Sequence, residues 1–144
     1  MPHARTGVYP VYENQFQIGD NAEGATTIAD LESFSVSFDN NVETWTPMNA
    51  EGWQRALMTG KSITISVTGK RNLGDTGNDY IADKAFKNGR DAEAVLVWNF
   101  PDGTVVNIPC VVNVTALGSG GSTDVGPLEA DFQSNGKPTV TPAA

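Results

Sequence analysis

One cysteine and one histidine are all that 144 residues contain, and that scarcity removes most enzymatic chemistry before any pattern is read. The histidine, His3, stands in an N-terminal stretch without sustained periodicity, so no Cys–His pair, no Ser–His–Asp constellation and no nitrogen-and-sulfur ligand set for zinc is expected. Cys110 falls in the apolar run IPCVVNV on the face of Val112 and Val114, where a buried structural thiol is expected rather than a nucleophile. Cations are also few. Nine Lys and Arg face seventeen Asp and Glu, for a net charge of −8 and a pI near 4.4. A surface that grips phosphate needs clustered Lys and Arg, so this chain is expected to repel DNA rather than bind it. No apolar run approaches the roughly 20 residues that span a bilayer. The opening MPHARTGVYPVYENQFQIG lacks the apolar segment of a secretion signal, so no membrane is expected and the chain should be made and kept in a cytosol.

What the chain has is β-rich. Hydrophobic residues make up 39% and charged residues 18%, with 15 Gly and 8 Pro, so Ser, Thr, Asn and Gly carry most of the polarity. The length fits one domain over residues 1–144 with a real core. The stretch TGKSITISVTGKR invites a nucleotide-binding reading through Gly60-Lys61-Ser62. A phosphate loop requires G-x-x-x-x-G-K-S/T between a strand and a helix, so that backbone N–H groups turn onto the phosphates. Five positions before Gly60 stands Arg55, and Ile63, Ile65 and Val67 alternate with Ser62, Thr64, Ser66 and Thr68 as a strand does. No nucleotide site is expected, and no other cofactor.

Along the chain, GVYPVYENQFQIG gathers Val8, Tyr9, Val11, Tyr12, Phe16 and Ile18, which should pack on the domain or on a neighbour. LESFSVSFDNN puts Phe34, Val36 and Phe38 on one strand face and Ser33, Ser35 and Ser37 on the other, with a turn signal at Asp39-Asn40-Asn41. A short strand VETW is expected next, then a brief helix capped by Asn49 with Trp53, Ala56 and Leu57 on one side and Glu51 paired to Arg55. Gly60 would end it in the left-handed region. A second helix is expected with Asn78 as N-cap, Asp79 in its first turn, an apolar stripe of Ile81, Ala82, Ala85 and Phe86, and its end at Lys87 and Gly89. The GDTGND loop before it lacks the residue order and distal glutamate of a calcium loop, so no metal is expected. A hairpin turning at Pro101-Asp102-Gly103 joins a strand carrying Ala94, Leu96, Trp98 and Phe100 to TVVNI. CVVNVTAL reads as a further strand, followed by the flexible loop GSGGSTDVG. In PLEADFQ, Leu128, Ala130 and Phe132 should face inward and Glu129 and Asp131 outward; the tail SNGKPTVTPAA cannot continue a central strand. Six or seven short strands and a helix predict a mainly β subunit, a β-sandwich or barrel with one flanking α-helix.

The order of these pieces resembles the major tail proteins of tailed bacteriophages. The likeness rests on DNNVETWTPMNAEGWQRALMTGKSITISVTGKRNLGDTGNDYIADKAF, then FPDGT on a hairpin, then a glycine-rich loop and LEADFQSNGKPT, and covers nearly everything from Leu31 onward. It implies a virion structural protein that self-assembles into stacked hexameric rings, the tail tube through which DNA enters the host. Its partners would be itself and the tape-measure, tail-terminator and baseplate proteins of the same particle, with genomic DNA passing through the lumen without specific binding. Carried over, residues 39–61 would be the stacking loop, 78–88 the flanking helix, and 1–17 and 135–144 the N- and C-terminal arms. A helical turn with Trp53 inside the loop departs from a bare loop. Candidates for the lumen are Glu129, Asp131, Ser35, Ser37, Thr64 and Ser66, on the argument that an acidic, Ser/Thr-rich wall offers phosphate no well to stop in. Candidates for subunit or ring interfaces are Tyr9, Tyr12, Phe16, Trp45 and Trp53, since aromatics concentrate at contact centres. The competing reading is a β-sandwich binding module, carbohydrate-binding or adhesin-like, displayed on a virion. Such a module would present exposed aromatics, whereas Trp98 falls on the apolar face of Leu96 and Phe100. An enzyme is not expected, because the carboxylates are scattered over turns and edges rather than convergent.

Overall fold

In a computed structural model, which describes residues 7–143, two kinds of cross-strand rung explain how the sheet divides its faces. The strands are β1 (Gln15–Gly19), β2 (Thr26–Thr27), β3 (Leu31–Trp45), β4 (Arg55–Lys70), β5 (Glu93–Asn99), β6 (Val105–Leu117), β7 (Pro127–Ser134) and β8 (Thr139–Thr141). Val36 pairs with Ile65, Ile65 with Phe132, and Phe132 with Val112; one rung along, Phe34, Val67, Ala130 and Val114 line up the same way. Because residues directly opposite in antiparallel strands share a face, these rungs stack into a continuous apolar surface, and Ile65, Val67, Ala130 and Phe132 are at most 1% exposed.

The strands form one sheet in the order β2-β1-β5-β6-β7-β4-β3, with β8 added to β6. The sheet curls until its far ends meet. Phe16 on β1 and Phe34 on β3 lie 4.8 Å apart between ring centroids, edge to face, and Trp98 of β5 stacks on Phe16 at 5.8 Å. This is a barrel whose seam, between β1/β2 and β3, is left unpaired.

Helix α1 (Thr76–Asp83) packs into this curl through Ile81 and Ala82. Its cap is Asp75, which accepts from the Asn78 backbone N–H at 3.0 Å, not Asn78 as expected from the sequence. Asn78 is instead fully buried. Its side chain accepts from Arg71 Nη1 (2.9 Å) and the Asn72 N–H (3.0 Å), and donates to the carbonyls of Ala29 (3.1 Å) and Lys70 (2.9 Å). One amide thus ties the helix to the end of β4 and to the chain entering β3. Gly77 makes the approach possible, since a Cβ there would collide with the Thr27 carbonyl oxygen. The helix is shorter than the 78–88 stretch foreseen: a 3-10 turn (Lys84–Phe86) follows, and Phe86 is 87% exposed rather than part of the apolar stripe.

TVVNI and CVVNVTAL, expected as separate strands, are one strand, β6. Pro109 lies inside it without cost because its ladder side faces a gap: β7 ends opposite Cys110 and β8 begins opposite Asn107, and the Pro109 carbonyl accepts from the Asn135 N–H instead. The tail does not continue a central strand, but it adds a short one, β8, on the stretch of β6 that β7 leaves free. Where a turn was expected at residues 39–41, β3 runs on to Trp45 with only a register shift between Asn41 and Val42. The helix expected around residues 49–57 is absent. A 3-10 turn (Met48–Ala50) and a left-handed pair, Glu51 (φ 53°) and Gly52 (φ 87°), reverse the chain, and β4 begins at Arg55. Gly60 lies within β4 and ends nothing.

Candidate assembly and lumen surfaces

The second kind of rung is polar. Ser35 pairs with Ser66, Ser66 with Asp131, and Asp131 with Asn113; on either side run Ser37–Thr64–Gln133 and Ser33–Thr68–Glu129. These rungs occupy the face opposite the core, so all six lumen candidates (Glu129, Asp131, Ser35, Ser37, Thr64 and Ser66) share one patch across β3, β4, β7 and β6. Thr64 Oγ1 donates to Gln133 Oε1 at 2.7 Å. Among the described residues neither Glu129 nor Asp131 has an ion-pair partner. The cation nearest in register is Lys70 at the end of β4, held by Glu32 at 3.2 Å. The patch is therefore a smooth hydroxyl and amide surface with unneutralised carboxylates at its middle.

The second surface is a ribbon. β7 accompanies β4 only from Thr64 to Lys70, so the remainder of the β3–β4 pair, residues 39–61, projects beyond the sheet for about 20 Å. Every residue in it is exposed except the half-buried Pro47, Ala50 and Gly60. Val42 pairs with Met58 on one face, and Trp45 and Leu57 lie on the other. Arg55 sits over the Trp45 ring at 5.9 Å, and Trp53, 78% exposed, stands at the tip. An isolated two-stranded ribbon is marginal in water, and apolar groups on both faces deepen the mismatch with solvent.

The remaining interface candidates divide. Tyr9 is exposed just before a 3-10 turn (Val11–Glu13) and Tyr12 is exposed within it, but Phe16 is 5% exposed and belongs to the core of its own chain. The reading that placed Phe16 at a contact followed its neighbours, whereas its alternation with Ile18 on β1 was the signal that places it inside. Trp98 also turns inward, donating to Asn14 Oδ1 at 3.0 Å within the aromatic cluster, which leaves no exposed platform there for a sugar. Sequence reasoning missed the groove at the barrel seam, a cavity of about 270 Å³ walled by Tyr12, Phe16, Ile28, Leu31, Glu32 and Phe34.

The carboxylates at the start of α1 are committed locally. Asp75 caps the helix and also accepts from the Ala29 N–H at 3.1 Å, and Asp79 pairs with Arg71 at 2.7 Å. Cys110 is 1% exposed and burial pushes its thiol up to about 12.

The structure thus offers a curled sheet with one polar four-strand face, an unpaired seam and a projecting ribbon. The sequence model described as phage tail tube protein matches residues 15–140, and the chain belongs to that family: it is a structural protein of the tail tube. No curated protein matches the chain in sequence. Among solved structures, the tail of an empty gene transfer agent particle, computed with helical refinement and C6 symmetry, is similar at 21% identity and a TM-score of 0.70. The match covers 94% of this chain and 100% of that one. A chain from the virion of a native gene transfer agent particle matches at 19% identity, the same TM-score and the same coverage. At these identities the likeness is one of fold.

Proposed function

We propose that this chain closes into hexameric rings that stack into the tail tube, with the polar face of β3, β4, β7 and β6 turned to the lumen. The single observation that carries the reading is the gathering of Glu129, Asp131 and their Ser and Thr neighbours on one uninterrupted face beside the free edge of β3. Edge-to-edge pairing around a ring removes that free edge, as closure does in any barrel. The C6 symmetry of the similar gene transfer agent tail supplies the ring number. Residues 39–61 act as the stacking loop, and the segments 1–17 and 135–144 act as arms between rings; residues 1–6 and 144 lie outside the described residues, and Gln15 to Gln17 belong to β1 of the sheet, so the first arm ends before Gln15. Within the second arm, β8 is held on β6 in the isolated subunit.

The tube lies in the virion tail, after synthesis in the host cytoplasm, and the chain performs no catalysis. DNA passes without specific contacts, because a wall of like charge and hydroxyls presents no site at which a phosphate settles. Tape-measure, terminator and baseplate proteins of the same particle meet the tube inside and at its two ends. Negative-stain electron microscopy across a concentration series, paired with light scattering, tests this. Rings or hollow tubes of uniform width are expected; a monodisperse monomer at every concentration overturns self-assembly.

A further inference from the structure

We propose that the groove at the barrel seam receives the ribbon tip of a second copy of this chain, with Trp53 as the inserted anchor. The inference rests on the tube reading above and names the surface to which the stacking loop docks.

Three observations converge on it. The ribbon carries exposed apolar groups on both faces, Val42 and Met58 on one and Trp45 and Leu57 on the other beside Glu43 and Arg55, and its tip presents Trp53, 78% exposed, to a crevice that can take it. The groove is such a crevice. It lies where the sheet fails to close on itself, between the unpaired edge of β3 and the β1/β2 edge, and its floor is Phe16, Ile28 and Phe34. At about 270 Å³ it has room for one large aromatic side chain.

Position decides which copy fills it. Groove residues Leu31 to Phe34 begin β3, and the ribbon tip follows its end at Trp45, about 40 Å away along the strand. A tip cannot fold back along its own strand into its own groove. A tip entering the next copy's groove makes a head-to-tail contact, which repeats without closing and so builds a column. Charge permits this docking: the groove lining contains no cation, Glu32 on its rim stays half exposed although Lys70 pairs with it at 3.2 Å, and Arg55 lies two residues beyond Trp53.

Because Cys110 is buried, cysteines placed elsewhere report cleanly. Asn49→Cys on the ribbon tip and Val11→Cys on the exposed wall of the groove are made as separate proteins, mixed at high concentration and oxidised. A mixed disulfide dimer is expected, and the double variant should give a ladder. Trp53→Ala should leave the monomer's unfolding midpoint unchanged and raise the concentration needed for assembly at least about tenfold, the scale of losing an aromatic anchor. No mixed dimer, whether tubes are present or not, overturns the docking, and so does assembly by Trp53→Ala at the unaltered concentration. Tubes that form without the cross-link leave the tail tube reading standing while this one falls.

Discussion

The curled sheet and the ribbon are made by the same two strands under opposite rules. Within the sheet, β3 and β4 alternate: Phe34, Val36, Ile65 and Val67 turn to the core, and Ser33, Ser35, Thr64 and Ser66 turn away. Past residue 39 the alternation ends, apolar groups sit on both faces, and no residue of the ribbon joins the core among those described. A strand with one apolar face has found its partner in its own chain. A ribbon with two has no apolar partner in the core of its own chain, and under the proposed stacking the difference separates residues that hold the subunit together from residues that hold subunits to one another.

That division can be broken first at Asn78. Asn78→Leu strips partners from two carbonyls, a backbone N–H and Arg71 inside a buried site, and should cost on the order of 3 kcal/mol or more. The drop in the urea midpoint of the unassembled protein measures it, and an unchanged midpoint would show that the helix is not locked where we place the lock. Cutting the ribbon is the converse experiment. Replacing residues 41–60 by an Asn-Gly turn should shift that midpoint by less than about 1 kcal/mol, because the removed residues bury little, while abolishing assembly in light scattering.

Thiol chemistry sharpens the contrast further. Cys110, held protonated by burial, should react with iodoacetamide at pH 8 only through unfolding, roughly a hundredfold or more slower than a cysteine placed at Asn49. Its linkage has a definite sign. The folded state keeps the proton longer, so this contribution to stability is whole below about pH 9 and is lost as pH rises toward about 12. Smaller still is the effect of charge on the polar face. Glu129→Lys with Asp131→Lys should alter subunit stability by no more than about 0.5 kcal/mol, yet make assembled tubes retain DNA in a salt-dependent filter assay. Retention by the unaltered tube would remove the argument for a non-binding wall. Least of all, Arg55→Ala should cost the unassembled subunit about 0.5 kcal/mol through the exposed Trp45 ring.

The sequence was readable where one face is buried and misleading where none is. PLEADFQ and the hairpin through Pro101-Asp102-Gly103 announced themselves because burial forces a period of two. The start of β4 did not. Arg55 to Gly60 carry no burial pattern, so the chance spacing of Trp53, Ala56 and Leu57 imitated a helix face. Asp39-Asn40-Asn41 has the composition of a turn, but cross-strand pairing and the Asn41–Thr59 side-chain hydrogen bond (2.8 Å) hold it extended. Asn78 was identified as important for the wrong reason: a residue suited to a cap serves better, once buried, as a four-way junction. The polar candidates of the lumen face were legible singly, while their gathering into three rungs depended on strand order, which no local pattern encodes. The seam groove was invisible for the same reason.

Continuity of β3 and β4 from the polar face into the ribbon has a mechanical consequence. If neighbouring copies are pulled apart along the tube, the load enters at the ribbon tip and runs down the strand axes. The two strands are joined at the tip and move together, so the load passes to the rest of the sheet through the β4–β7 ladder, whose hydrogen bonds lie perpendicular to the pull and, from Thr64–Gln133 to Lys70–Pro127, share the force rather than parting one at a time. A tail that must bend and thrust without parting between its rings would gain from such a joint, in which tension is resisted in shear.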